Sequence, residues 1–426
     1  MNVLFLYVAT ETVEMLVLPL GLASLAAAVQ AAGHDFDLVT LNSGDDVASV
    51  LSRRIDDFRP DLIGVSLRNV DNQSMQHGMF FLPPVKEAID VCRSLSRAPI
   101  VAGGAGFSIY PQSALHYLGA DYGIAGEGES AFVMLLDRLS RGEDLRGVPG
   151  LCVPGCNTAP ATTHESILDA CPLPLPDVHL RTPAGSDKES IWIPIQTRRG
   201  CPMACSYCST ASIEGTKTRR RSPGKVVENL ARFVAAGYRN FFFVDNTFNF
   251  PPTYASALCD AIVAAGLDIH FQCILYPYKV DEDLVRKMAD AGCRGVSLGF
   301  ESGAPEILKN LNKRFVPSDV IRISNLLKSS GIGRMGFLLL GGPGETRATV
   351  TTSLQFAASL ELELVKVSQG IRIYPKTVLE NVARAQGVLR PGEDLLLPRY
   401  YLVDELKDWM EDAVARYASG LPNWMV

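Results

Sequence analysis

The sequence predicts an α/β protein: a doubly wound, Rossmann-like parallel sheet first, then a barrel built from repeated strand–helix units, then a short helical C-terminus. Two observations carry this prediction. Short apolar runs alternate with helix-like segments over the first 150 residues, the pattern of a parallel sheet with helices on both faces. Longer strand–helix units then repeat from about residue 190 onward, the pattern of a barrel whose functional side chains sit at the carboxyl ends of strands. At 426 residues the chain is also too long for one average domain.

In the first region strands are expected at Val3–Val8, Phe36–Leu41, Leu62–Leu67, Ile100–Ala102 and Tyr122–Ala125, with helices at Gly21–Ala32, Val47–Phe58 and Leu82–Leu95. Ligands of such sheets bind where glycine lets the backbone come close at strand ends. Gly103, Gly104 and Gly106 follow one strand, and Gly126, Glu127, Gly128 and Glu129 follow the next. Glycines of this kind also make ordinary tight turns. A proline-rich stretch with little periodicity, including Pro172, Pro174 and Pro176, reads as an extended crossing. In the second region strands are expected at Phe241–Val244, His270–Leu275, Gly295–Phe300, Met335–Leu340 and Val365–Ile373, with helices between them and a last helix near Asp404–Ala418.

The composition, 47% hydrophobic and 20% charged with a net charge of -6, is that of a globular protein with a large core. It argues against nucleic acid or an anionic membrane as partner, since both are bound through clustered Lys and Arg. The basic run from Lys217 to Arg221 is expected to be a solvated loop. The first ten residues lack a secretion signal, and the uncharged stretch Met15–Gly33, broken by Pro19 and Gly21, reads as a loop entering a buried helix rather than a membrane span. A cytoplasmic location is therefore expected.

Three of the ten cysteines fall within eight residues, in the segment RRGCPMACSYCST. Cys201, Cys205 and Cys208 stand in a C-x3-C-x2-C arrangement, with no fourth Cys or His nearby to complete a zinc site. Thiolates are the ligands of iron–sulfur clusters, and close spacing lets one loop wrap the cluster. Three thiolates on a four-iron cube leave one iron open, as a catalytic metal site requires. The other seven cysteines are scattered and read as structural.

With Gly200 and Pro202 beside the first thiol and Tyr207 before the third, this motif resembles that of the radical S-adenosylmethionine superfamily. LGFESGAPEILKNLNK (Leu298 to Lys313), LLLGGPGET (Leu338 to Thr346) and IRIYPKT (Ile371 to Thr377) resemble its fourth-, fifth- and sixth-strand segments. The resemblance implies a partial (β/α)6 barrel holding a [4Fe–4S] cluster on the three cysteines. It implies S-adenosylmethionine beside Tyr207, Asp245, Gln272, Glu301, Ser302, Gly341, Gly342 and Tyr374. Asp245 stands where relatives have a Gly-Gly-Glu-like segment, which reads Asp-Asn-Thr here. Upstream, PLGLASLAAAV, PDLIGVSL, IVAGGAGFSIYP and GADYGIAGEGESAF resemble the cobalamin-binding domain that precedes many such barrels. Gly103, Gly104, Gly126, Glu127 and Gly128 would then line a cobalamin site. No Asp-x-His-x-x-Gly axial-ligand sequence occurs, which leaves that cofactor open.

The expected organisation is a cobalamin-binding-type domain at 1–150, a linker at 151–190, the radical barrel at 191–380 and a short helical segment at 381–426. The resemblance implies reductive cleavage of S-adenosylmethionine to a 5′-deoxyadenosyl radical, fed by an external flavodoxin- or ferredoxin-type donor. That radical would take a hydrogen atom from a small molecule. Because the C-terminal tail is short and the axial His is absent, dehydration, epimerisation or rearrangement, as in antibiotic biosynthesis, is the first expectation. Cobalamin-dependent methyl transfer is the alternative, and a non-catalytic iron–sulfur or corrinoid sensor a remote one. Glu214, Lys217 and Tyr276 are acid–base candidates by position alone.

Overall fold

The computed structural model describes residues 1–10, 18–156, 162, 164–182 and 185–426. Its first sheet contains β1 (Asn2–Val8), β2 (Asp35–Leu41), β3 (Leu62–Ser66), β4 (Ile100–Gly103), β5 (Tyr122–Ile124) and β6 (Leu151–Cys152) in the order β2-β1-β3-β4-β5-β6. β1 to β5 run parallel, and β6 closes the edge antiparallel to β5. Successive residues of a strand face opposite sides, and both sides are buried. Leu4 and Leu6 pack with Leu51 and Ile55 of one helix and Leu82 and Val85 of another, whereas Val3 and Phe5 pack with Leu22, Val29, Phe132 and Leu135 on the other face. The stretch expected to enter a buried helix does so at Leu20–Ala31; its residues 15–17 lie outside the described residues.

The remaining strands are β7 (Trp192–Ile195), β8 (Arg198–Arg199), β9 (Arg219–Arg220), β10 (Asn240–Phe243), β11 (His270–Leu275), β12 (Cys293–Glu301), β13 (Gly333–Leu340), β14 (Leu364–Gln369), β15 (Ile371–Arg372), β16 (Tyr400–Tyr401) and β17 (Trp424–Met425). Seven of them form one parallel sheet in the order β17-β14-β13-β12-β11-β10-β7. Alternation is strict where it matters: Phe241 and Phe243 enter the core against the helices, and Phe242 faces the other way.

Two features differ from the sequence expectation. The strand expected at Val365–Ile373 breaks at Gly370, whose φ of +75° ends β14. The chain then forms the antiparallel ladder β15–β16. The C-terminal segment is also more than a helix, since β17 extends the barrel sheet beside β14.

The hydrophobic core of the first sheet continues into the far end of the chain, taking in Ile307, Leu311, Ile373, Leu379, Leu396 and Tyr401. One buried ion pair lies on this seam. Arg372 Nε donates to Asp71 Oδ2 at 2.8 Å, and its other nitrogens reach the carbonyls of Ile373 and Leu395. Removing one partner of such a pair strands a charge away from water, so Asp71→Ala is expected to cost about 3–5 kcal/mol. Denaturant unfolding followed by circular dichroism checks this, and an unchanged midpoint refutes it.

Candidate functional site

The segment from Cys201 to Tyr207 has no helix or strand of its own, so it is shaped by what grips it. The turn Leu311–Arg314 does most of this. Ser206 N donates to Leu311 O at 3.1 Å, Asn312 Nδ2 to Ala204 O at 2.6 Å and Arg314 Nη2 to Pro202 O at 2.7 Å. Met203, 1% exposed, anchors the loop in the barrel core. Before the loop, Gly200 holds a φ of +90° with the Lys217 carbonyl where a Cβ would sit, only 2.3 Å away. A side chain there would collide with backbone, which is why glycine precedes the first thiol.

The three thiols are free and partly exposed on this one loop, whereas Cys259 and Cys273 are sealed in the barrel core. Among the described residues no three His, Cys, Asp or Glu side chains converge as ligands of a single ion. A cube bound through three separate irons does not ask for such convergence, and the donor set fits it. Burial pushes the Cys201 thiol up to about 11 and raises Cys205 as well, the latter against the pull of Lys313. Metal loading would therefore displace protons.

At the strand ends the sequence candidates separate into two groups. Tyr207 and Glu301 meet: Tyr207 OH donates to Glu301 Oε1 at 3.0 Å, and Lys313 Nζ reaches both, at 3.1 Å each. Burial alone would lower the Lys313 pKa, but Glu301 holds it well above the ordinary value. Tyr276 adds its ring beneath Lys313, 5.6 Å from the centroid, while its hydroxyl accepts from Arg314 N. Lys313 stood in the quoted fourth-strand segment yet was not singled out, because only the fold shows it returning to Tyr207. Gln272 alternates with the core residues Phe271 and Cys273 and is half-buried on the opposite face of β11.

The other candidates are placed differently. Asp245 is 1% exposed, accepting from Thr197 N, Thr197 Oγ1 and Arg198 N. Its carboxylate joins the segments that follow β7 and β10, and Asn246 beside it is the exposed group, bonded to Glu214 at 3.0 Å. Ser302 is fully buried, its hydroxyl shared with Ser353 Oγ and Ala304 N, so it braces the turn after β12. Lys217 is exposed, and only its backbone touches Gly200. Tyr374 is buried against the Arg372 guanidinium at 5.2 Å. At the fifth-strand motif the amides of Gly341 and Gly342 donate to Glu345 Oε2. Glu345, which the sequence reading did not name, is 3% exposed and burial pushes it up to about 7.

A cavity of about 380 Å³ lies between the two sheets. One wall is the strand ends of the first sheet, including Gly103, Gly104, Gly126, Glu127 and Gly128; the other includes Trp192, Gln196, Phe242, Val244 and Glu214. Gly104 has a φ of +102°, and a Cβ there would meet Leu67 O at 2.6 Å. Close-approaching glycine backbone thus lines part of one side and aromatic and aliphatic surface much of the other, with Glu127, Gln196 and Glu214 as polar groups among them. This suits a broad, largely apolar ring system such as a corrin. Glu214 is raised by burial and holds the loop's entrance, accepting from Gly200 N at 3.0 Å.

The run expected to be a solvated loop is not one. Arg219 pairs with Arg199 across the β8–β9 ladder, and both meet Glu127, Arg219 Nη2 at 2.6 Å and Arg199 Nη1 at 3.0 Å. Arg221, 6% exposed, binds the carbonyls of Leu168 and Cys171. Their partners lie far away in sequence.

Two outcomes follow. Alanine at Cys201, Cys205 or Cys208 is expected to abolish a [4Fe–4S] signal in Mössbauer spectra of anoxically reconstituted protein; a retained cubane refutes the ligand set. Because the native pKa of Glu345 exceeds its ordinary 4.5, the folded state holds an extra proton between 4.5 and about 7, so this group's contribution to stability declines as pH rises through that window. Glu345→Gln should flatten the decline in denaturation midpoint measured across it, and parallel curves for both proteins count against the assignment.

Comparison with known proteins agrees with this architecture. Residues 195–357 match the Radical SAM superfamily and residues 7–136 match the B12 binding domain. An uncharacterized methyltransferase of Pyrococcus horikoshii is 27% identical over 377 residues, covering 87% of this chain and 79% of that protein. The tryptophan 2-C-methyltransferase of Streptomyces laurentii is 27% identical over 421 residues, covering 84% and 70%. Among solved structures, the radical S-adenosylmethionine methyltransferase TsrM of Kitasatospora setae, with tryptophan and a SAM analog bound, superposes with a TM-score of 0.86 at 25% identity, covering 100% of this chain and 90% of that one. The cobalamin-dependent radical enzyme OxsB shares the fold at a TM-score of 0.76 and 16% identity. No helix among the described residues is long and apolar enough to cross a membrane. The chain is a radical S-adenosylmethionine enzyme in which a B12-binding domain precedes the radical SAM domain.

Proposed function

We propose that this enzyme is a cobalamin-dependent methyltransferase acting on a small molecule. The observation that carries the reading is the cavity in which glycine-rich strand ends of the first sheet face the barrel, next to Arg199 and Glu214 that flank the cysteine loop. Relatives named as methyltransferases support it, and they do not support the elimination or rearrangement that the short tail first suggested. In the fold that tail closes the barrel edge as β17 and packs as β16 against β15, so its length is no argument against a substrate pocket.

When bound, the cluster, S-adenosylmethionine and a corrin would supply electrons, a sulfonium methyl group and a cobalt centre that carries it. The chain's own part is placement. The Leu311–Arg314 turn fixes the thiol loop. Lys313 and Tyr207 orient the Glu301 carboxylate at the end of β12, where it would meet the cofactor's polar end. Trp192, Phe242 and Val244 wall the cavity, and apolar walls exclude water from a reactive centre. An external flavodoxin- or ferredoxin-type donor would reduce the cluster.

The test is direct. Protein made in cells supplied with hydroxocobalamin is expected to retain one corrin per chain, read from its visible spectrum. Given methyl-deuterated S-adenosylmethionine and candidate small molecules, tryptophan among them, it should release S-adenosylhomocysteine and a labelled product. Protein that stays free of corrin sinks the proposal.

A further inference from the structure

The β8–β9 ladder carries four consecutive-strand arginines, and register divides them. Arg198 and Arg220 stand opposite one another on one face, over the Tyr254 ring at 4.7 and 5.3 Å; Arg199 and Arg219 stand opposite one another on the other. That second pair points across the seam at the Gly126–Glu129 segment of the first sheet. Arg199 reaches Glu127 at 3.0 Å and Glu129 at 2.5 Å, and Arg219 reaches Glu127 at 2.6 Å. All four side chains are no more than 12% exposed.

Each arginine also leads to the cysteine loop, from opposite ends. Arg199 is two residues before Cys201, and between them Gly200 is locked against the Lys217 carbonyl. Arg219 Nη2 donates to Glu214 O at 2.7 Å, at the close of the short helix Thr210–Glu214 that follows Cys208. The Glu214 side chain returns to Gly200 N, and Gly215 O accepts from Cys201 N at 3.1 Å. The same glutamate-bearing segment, through Gly126, Glu127 and Gly128, lines the cavity. Four buried charges therefore bracket the thiol loop and the cavity wall together. Such a fully paired cluster is rigid, because displacing any member leaves a charge unpaired in low dielectric.

We propose that Arg199, Arg219, Glu127 and Glu129 are positioning residues that clamp the cavity wall to the cysteine loop and so set the spacing between the corrin site and the cluster site. This rests on the reading of the cavity as a corrin site, and the experiment separates the two. Full-length protein with its cluster reconstituted is compared with Glu127→Gln/Glu129→Gln and with Arg219→Lys by hydrogen–deuterium exchange, which reports local opening. Exchange in the double variant is expected to rise about tenfold in the Gly126–Glu129 and Gly200–Cys208 peptides together, since losing paired buried charge favours local opening, while β11–β13 stay protected. Arg219→Lys, which keeps the charge and loses the fork, should show a smaller rise in the same two peptides. The electron paramagnetic resonance line shape of the reduced cluster should also change in the double variant, although neither glutamate is in the cysteine loop. Loosening of the Gly126–Glu129 peptide alone, or an unaltered cluster signal, overturns the clamp; if the double variant loses protection in β11–β13, Arg219→Lys decides by the same criterion. None of these readouts needs corrin, so a corrin-free protein would defeat the earlier reading and leave the clamp to stand or fall by itself.

Discussion

A thiol loop without regular structure has to be held from outside, and the molecule is arranged around that constraint. A loop that wraps a metal cluster cannot bury its backbone in ladder hydrogen bonds, yet its polar groups still need partners. Here they find them in two places: the turn Leu311–Arg314 takes the middle of the loop, and the end of the helix Thr210–Glu214 takes its start, at Gly200 N and Cys201 N. Both supports are themselves rooted in the barrel, one through the helix Pro305–Asn310 that follows β12 and the other through Arg219 of the β8–β9 ladder, which holds Glu214 O.

The general architecture was legible because period and order survive in a single sequence. Alternating apolar runs gave β1 to β5 nearly to the residue, and the helices Val47–Phe58 and Leu82–Leu95 fall where their apolar spacing put them. The thiol loop was legible because its chemistry is local: three cysteines within eight residues need no fold to announce a metal. Short elements were harder. β8, β9, β15 and β16 are two residues each, too brief to show a period. Their existence depends on a partner strand that arrives from elsewhere in the chain.

The arginine run shows why the rest was hidden. From composition, Lys217 to Arg221 is a patch of positive charge, and such patches are usually solvated. A two-residue ladder turns alternate members to opposite faces, so Arg219 and Arg221 go inward while Arg220 stays exposed. What makes the inward ones tolerable is Glu127, over ninety positions upstream, and carbonyls of the crossing segment. Asp245 and Ser302 show the converse, since nothing in their sequence setting reveals that both are buried. Each occupies a strand-end position, but local hydroxyl and amide partners already satisfy it.

Polar groups thus do two different jobs at the same strand ends, and burial with partners tells them apart. Asp245 is saturated by Thr197 and Arg198, just after β7, and becomes part of the frame. Glu301 is held through a single oxygen by Tyr207 and Lys313, at a φ of +64° where β12 shifts register. A non-glycine residue kept in that region carries strain that the surroundings must impose. The strain falls at the end of the strand beside the thiol loop, next to a buried lysine whose charge the carboxylate preserves. The frame therefore fixes the direction of Glu301 by itself, and a polar group fixed in advance can meet a charge without the cost of reorganising.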